Sequence, residues 1–245
     1  MKKLISITVI TLLLAACSSQ PKETNEQDKT PANPTPYAES ITTNELETYL
    51  TEIASDEYEG RDTGKEGQKK AANFLKDYYT ENAIAPGNED SYFQEIPTSY
   101  FENRYPDSEN VLAFIEGSEK PEEIVVLTAH YDHVGIDEEG NIYNGADDDG
   151  SGTVALMEIA EAMQLAKNEG NGPKRSILIL HVTAEEKGLL GSKYYTENPI
   201  YPLANTINNL NIDMIGRVDT NYQTKPEDEQ EYLYLIGADR LSTEL

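Results

Sequence analysis

The chain has 245 residues, a formal charge of −26 at neutral pH, one cysteine and no tryptophan. Its 45 acidic against 19 basic side chains would repel phosphate backbones and anionic headgroups, which argues against nucleic-acid binding and against lying flat on a membrane. With Cys17 as the only thiol, an intramolecular disulfide is excluded, and lipidation of Cys17 would leave no cysteine nucleophile.

The amino terminus reads as an export signal. Lys2 and Lys3 form a basic start, and Leu4 to Leu14 is an apolar stretch of signal-peptide length. It falls short of the roughly 20 residues that a membrane-spanning helix needs. Leu14-Ala15-Ala16-Cys17 resembles the lipobox of bacterial lipoproteins. The expectation is therefore removal of residues 1–16, lipid attachment at Cys17, and export to the bacterial cell envelope with the lipid holding the chain to a membrane. Residues 17–38 are Ser, Thr, Pro, Asn, Gln, Glu and Lys with almost nothing apolar. Such a segment buries too little surface to offset its ordering entropy and is expected to be a flexible tether. Residues 39–245 fit one domain.

Within that domain, Leu46, Tyr49, Leu50 and Ile53 recur at helical spacing, which predicts a helix over Thr43 to Ser55 behind a Thr or Asn cap. A polar turn from Ser55 to Gly67 leads to a second helix with Ala71, Ala72, Phe74, Leu75, Tyr78 and Tyr79 on its apolar face. Tyr92 to Ile96 and Asn110 to Ile115 read as strands. Ile124 to Leu127 and Ser176 to Leu180 are short continuous apolar runs, the pattern of strands buried on both faces. Ser151 to Ala166 carries a helical apolar stripe, Gly188 to Asn198 a short helix, Thr206 to Ile212 a third core strand and Tyr232 to Ile236 a fourth, with a helix starting at Ser242. Alternating strands and helices predict an α/β fold with a mixed, mostly parallel central sheet flanked by helices.

Each buried run gives way to polar residues at its carboxyl end. His130, Tyr131, Asp132 and His133 come after the first, Glu185 and Glu186 after the second, and Asp213 after the third. Ligands of open α/β sheets collect outside the carboxyl ends of the strands. Asp147, Asp148 and Asp149 add carboxylates just before a helix. An imidazole and several carboxylates in one cleft repel one another unless protons or cations intervene, and a divalent metal is the economical answer. His and carboxylate donors without thiolate suit zinc, with cobalt or manganese as alternatives. Two ions bridged by a carboxylate are a recurring hydrolase arrangement.

The segments Thr128 to Gly135, Asn144 to Gly152, Thr183 to Ser192 and Asn211 to Met214, in this order and spacing, resemble the co-catalytic di-zinc aminopeptidases. That metallopeptidase family also contains glutamate carboxypeptidase-like enzymes and inactive receptor ectodomains. The resemblance covers about Thr43 to Leu245, including Ser55 to Arg61. It implies that His130 and Asp213 bind one zinc, Glu186 the other, and Asp148 both. It makes Asp132 the carboxylate that sets the His130 tautomer, makes Glu185 the general base toward water and the leaving amine, and places a cis peptide between Asp148 and Asp149. Asp147 and Asp149 are read as turn and capping residues, His133 as a polar contact without a metal, and His181 as a hydrogen-bonded core residue.

The family pattern has a further histidine ligand well beyond the Asp-Met motif, whereas this sequence contains only His130, His133 and His181. The expectation is a chain that lacks a carboxyl-terminal portion, as a fragment or a truncated product, and whose Glu186 metal is under-supplied with ligands. The function implied is a metal-dependent exopeptidase acting on peptides, an aminopeptidase first. A carboxypeptidase or amidase on the same metal core and a non-catalytic envelope lipoprotein are the alternatives.

Overall fold

The computed structural model describes residues 33–217 and 234–237. Its first element lies inside the segment expected to be tether: α1 (Thr35–Ala38) is one helical turn whose Tyr37 hydroxyl donates to Glu169 at 2.7 Å and accepts from Asn171. The Tyr37 hydroxyl thus ties this turn to residues far along the chain. The rest of that segment and the expected signal lie outside the described residues. So do the first two residues of the strand expected at Tyr232 to Ile236, whose described part, 234–236, has no strand conformation, and the helix expected from Ser242.

Helix α2 (Thr43–Ile53) starts where Thr42 accepts the Glu45 N–H on its side chain, a local cap that fixes its first turn. After a short 3-10 turn over Asp56–Arg61 comes α3 (Glu66–Glu81). The strands then run as β1 (Ala85–Pro86), β2 (Phe93–Ile96), β3 (Ser108–Ile115) and β4 (Lys120–His130), with the small hairpin β5 (Gly135–Ile136) and β6 (Ile142–Tyr143) beyond them. Helix α4 (Gly152–Asn168), β7 (Arg175–Val182), α5 (Leu190–Glu197) and β8 (Thr206–Asn211) complete the described part.

The main sheet runs β1-β3-β7-β4-β8, with β2 also on β3. It is mixed, as expected, and its two halves differ. β4 is parallel to both β7 and β8, while the pairings of β3 with β1, β2 and β7 are antiparallel. The parallel share is confined to the half that carries the chemistry.

Alternation along the central strands divides the core. Val111, Ala113, Ile115, Leu127, Ala129, Ile177 and Ile179 pack with Leu75, Tyr79, Leu156 and Met157 of α3 and α4. Leu112, Ile124, Val126, Leu178, Leu180 and Val182 pack on the other face with Tyr195 of α5. Two covered faces explain why β4 and β7 read as continuous apolar runs. β8 differs from the expected core strand. It lies at the sheet's outer side among the described residues, with Ile207 and Leu210 about half exposed, because only β4 pairs with it and no described helix covers it.

His181 of β7 is a buried core residue, as expected, with Nε2 at 2.6 Å from the Tyr79 hydroxyl. Burial pushes its pKa down to about 3, against about 6.5 in the unfolded chain. The folded state rejects a proton that the unfolded state accepts, so this contribution is intact above pH 6.5 and is lost as pH falls toward 3. Its slope is at most about 1.4 kcal/mol per pH unit. His181→Gln should flatten the stability profile in that window, which urea midpoints at pH 7, 6, 5 and 4 will read. Parallel profiles for the two proteins would refute this account.

Candidate metal centre

Because β7 and β8 run parallel to β4 on either side, three carboxyl ends abut. β4 ends on His130, β7 leads to Glu185 and Glu186, and β8 leads to Asp213. The loop Ala146–Ser151 delivers Asp148 to the same edge before α4 begins. The structure brings together His130, Asp148 and Asp213, whose ligand atoms all lie within 4.8 Å of one another, and likewise His133, Asp148 and Glu186. Asp148 belongs to both groups, as a carboxylate bridging two cations would.

Asp149 organises this geometry from a fully buried position. Its Oδ1 accepts the N–H of Gly152 at 2.9 Å and of Met214 at 3.2 Å, and its Oδ2 accepts the His130 N–H at 3.2 Å. One carboxylate thereby ties the Asp148 loop, the end of β4 and the turn after Asp213. A Cβ at Gly152 would stand 2.4 Å from Asp149 Oδ1, so only glycine admits this approach. Asp147 Oδ1 accepts from the Gly216 N–H at 2.9 Å. Both flanking aspartates act on the backbone, and the Asp148–Asp149 peptide is cis.

The Asp132 geometry departs from the expected role. Nδ1 of His130 is 3.0 Å from the Asp132 carbonyl and 3.8 Å from its carboxylate. A carbonyl only accepts, so Nδ1 carries the hydrogen and the backbone sets the tautomer. The carboxylate, fully buried, instead accepts the Glu185 N–H at 3.0 Å and the Thr63 hydroxyl at 3.0 Å. Asp132 thus joins the His130 segment to the Glu185 loop, because its backbone and side chain point to different elements.

That tautomer leaves Nε2 of His130 bare, 3.0 Å from Asp148 Oδ1 and 4.0 Å from Glu185 Oε2. Two lone pairs at that separation call for a proton or a cation between them. The electrostatics agree. Burial raises the Asp149 pKa to about 8, with Asp213 adding to it, and raises that of Asp132 to about 6. Burial, with Glu186, Asp213 and Asp148, also raises Glu185. Burial opposes the charge of His130, yet Asp132, Asp149, Glu185 and Asp213 outweigh it and lift its pKa above the ordinary value. The site carries more negative charge than it can stabilise alone, and its nitrogen and oxygen donors without sulfur fit zinc.

Three supporting residues were not legible as site residues. Arg61, fully buried, donates to the carbonyls of Tyr131, Ile53, Asn144 and Gly145 at 2.7–2.8 Å. Lys187 pairs with Asp62 at 2.8 Å, and the Asp62 backbone bridges to His133, which clamps the Glu185–Glu186 loop to the segment after β4. His133, expected as a contact without a metal, stands inside the second donor group. Its only sequence signal was its place three residues after His130 at the same strand end. Cys17 lies outside the described residues.

A mixed α/β sheet whose carboxyl edge gathers bare imidazole and shared carboxylate donors forms a candidate centre for divalent metal. Peptidase family M28 matches residues 110–238, more than half of the chain, and the chain belongs to that family. A probable zinc metalloprotease of Pyrenophora tritici-repentis is 39% identical over 113 residues, 44% of this chain and 22% of the relative. Carboxypeptidase Q of Rattus norvegicus is 38% identical over 95 residues, 38% of this chain and 18% of the relative. The Legionella pneumophila aminopeptidase LapA superposes with a TM-score of 0.56 at 25% identity, over 74% of this chain and 46% of that one. The chain spans about a fifth of the length of these curated relatives.

Proposed function

We propose that this chain carries the catalytic centre of a zinc-dependent exopeptidase, an aminopeptidase first. The observation that carries the reading is Asp148 shared between two donor groups at the carboxyl edge of parallel strands. His130 and Asp213 would hold one cation, Glu186 the second, and Asp148 both. Bound divalent cations supply Lewis-acid polarisation of a carbonyl and lower the pKa of water.

The chain's own residues then have defined tasks. Glu185 is held by its backbone N–H on Asp132, with its carboxylate beside His130. Its raised pKa brings it nearer the neutral range where a carboxylate can take a proton from water and return it to a leaving amine. Asp132 and Asp149 fix the ligand-bearing backbones. The likeness to carboxypeptidase Q keeps a carboxypeptidase as the second reading. Retention of Glu185 together with His130, Asp148, Glu186 and Asp213 disfavours a purely binding role.

A paired assay tests this. The zinc-loaded protein is given a dipeptide with a free amine and a blocked carboxylate, and its counterpart with a blocked amine and a free carboxylate. Cleavage of the first only, abolished by a chelator and restored by zinc, is expected. Cleavage of the second only would assign a carboxypeptidase, and cleavage of neither would refute the peptidase reading.

The export signal and Cys17 motif support placement in the bacterial cell envelope with a lipid anchor. No helix among the described residues is long and apolar enough to cross a membrane. Cys17→Ser should release the protein from the membrane fraction, and retention there would count against the anchor.

A further inference from the structure

We infer that Lys187 is a positioning residue of the reaction: its ammonium, held between Asp62 and the Tyr105 ring, sets the stretch that carries Glu185 and Glu186. The inference rests on the metallopeptidase reading above and deepens it, because it names what holds those two carboxylates at the sheet edge.

The loop from β7 to α5 is pinned at its two ends and free of backbone ties in between. At its base one buried side chain, Asn110, accepts the Thr183 N–H at 3.1 Å and donates to the Gly191 carbonyl at 3.0 Å. The N–H groups of Gly188 and Leu189 turn back onto the Glu185 carbonyl at 2.8 and 2.9 Å, and Asp132 holds the Glu185 N–H. Glu186 and Lys187 have no backbone hydrogen bond among the described residues. The polar ties of this stretch are two, the Glu186 carboxylate on His133 and the Lys187 ammonium on Asp62. Ala184 and Leu189, at φ +53° and +61°, occupy the left-handed region that disfavours any residue with a Cβ. A loop bent in this way needs fixed partners outside itself to keep its shape.

Lys187 supplies such a partner. Its Nζ is 2.8 Å from Asp62 Oδ1 and 5.7 Å from the centre of the Tyr105 ring, within reach of a cation–π contact. The Lys187 side chain is 16% exposed, and Asp62 Oδ1 is buried with no other partner among the described residues. A pair so enclosed keeps its geometry, unlike the exposed ion pairs whose net worth is small. Asp62 is itself fixed, since its backbone bridges to His133 and a Cβ at Gly135 would come 2.6 Å from its own Cβ. The pair therefore joins the Glu185–Glu186 stretch to the segment that follows His130. The neighbouring Arg61 is spent on four carbonyls, which leaves this task to Lys187. A lysine kept for solubility would extend into water, and one kept for a substrate carboxylate would not be matched to a buried aspartate oxygen.

The test compares the wild type with Lys187→Met, Lys187→Arg, Asp62→Asn and the double variant Lys187→Met/Asp62→Asn. On the dipeptide that the zinc-loaded wild type cleaves, kcat and KM are measured, and zinc affinity is read by competition with a chelator. Circular dichroism of each metal-free protein checks folding. Lys187→Met and Asp62→Asn should each lower kcat about 10–100-fold and zinc affinity about tenfold, with KM nearly unchanged. The double variant should lose no more than the worse single one, because both remove the same contact. Lys187→Arg, which keeps the charge and the ring contact, should recover most of the activity. Values within about threefold of wild type for Lys187→Met, a loss confined to KM, or single losses that multiply in the double variant would overturn the inference. Each of these would leave the metallopeptidase reading intact. If Lys187→Met does not fold, Asp62→Asn, which keeps the shape of the side chain, decides by the same criteria. If the wild type binds zinc without turnover, the zinc affinities decide. A wild type that neither binds zinc nor cleaves would overturn the metallopeptidase reading itself, and the inference with it.

Discussion

Glu185→Gln should lower the turnover of the zinc-loaded protein by about 10²–10⁴-fold, the usual worth of a positioned general base. Glutamine keeps the length and shape of the side chain but cannot take a proton at neutral pH. The backbone N–H that anchors this residue to Asp132 is unaffected, so the loop should hold its place. The loss should therefore appear in kcat, with KM and zinc content nearly unchanged. The same substitution removes one charge from a cleft where burial and Glu186 already push the Glu185 pKa up. The melting temperature of the cation-free protein should hold or rise. Lower activity without lower stability separates a role in proton transfer from one in folding, and turnover within about threefold of wild type would remove Glu185 from the chemistry.

Arg61→Met should cost about 3–5 kcal/mol of stability, as expected when a buried charged partner is removed and the groups it served are left unpaired. Methionine replaces much of the volume but none of the donors. The carbonyls of Ile53, Tyr131, Asn144 and Gly145 would then lie unpaired around an apolar side chain. These carbonyls come from the end of α2, the segment after β4 and the loop before Asp148, so their release loosens the backbones that carry the donors. Arg61→Lys should recover little, because one ammonium cannot reproduce the planar fork that spans them. Urea midpoints of both variants at saturating zinc check the effect, and a loss below about 1 kcal/mol for Arg61→Met would contradict it.

The chemistry was legible in the sequence to the extent that it depends on residue identity and local order. His130, Glu185 and Glu186 come after apolar runs, and a run buried on both faces can be recognised without coordinates, whereas Asp213 follows the half-exposed β8. Their convergence is a consequence of β7 and β8 lying parallel to β4. The pairing of His133 Nδ1 with Glu186 Oε1 at 2.9 Å could not be read this way, because the two residues come from different strand ends. Asp132 was recognised as a support, but its carboxylate serves Glu185 and only its carbonyl serves His130. Arg61 in a polar turn reads as solvated charge, and its burial depends on carbonyls as far along the chain as Gly145.

The sequence by itself determined the strand and helix pattern, the two-faced core and the set of donor residues available. These depend on side-chain periodicity and on neighbours within a few positions. The tertiary structure alone decided which lone pairs face one another, which carbonyls the Arg61 guanidinium gathers, and that β8 lies at the outer side of the described sheet. Those outcomes depend on the distances and angles between segments far apart in the chain, which packing sets and local composition does not encode.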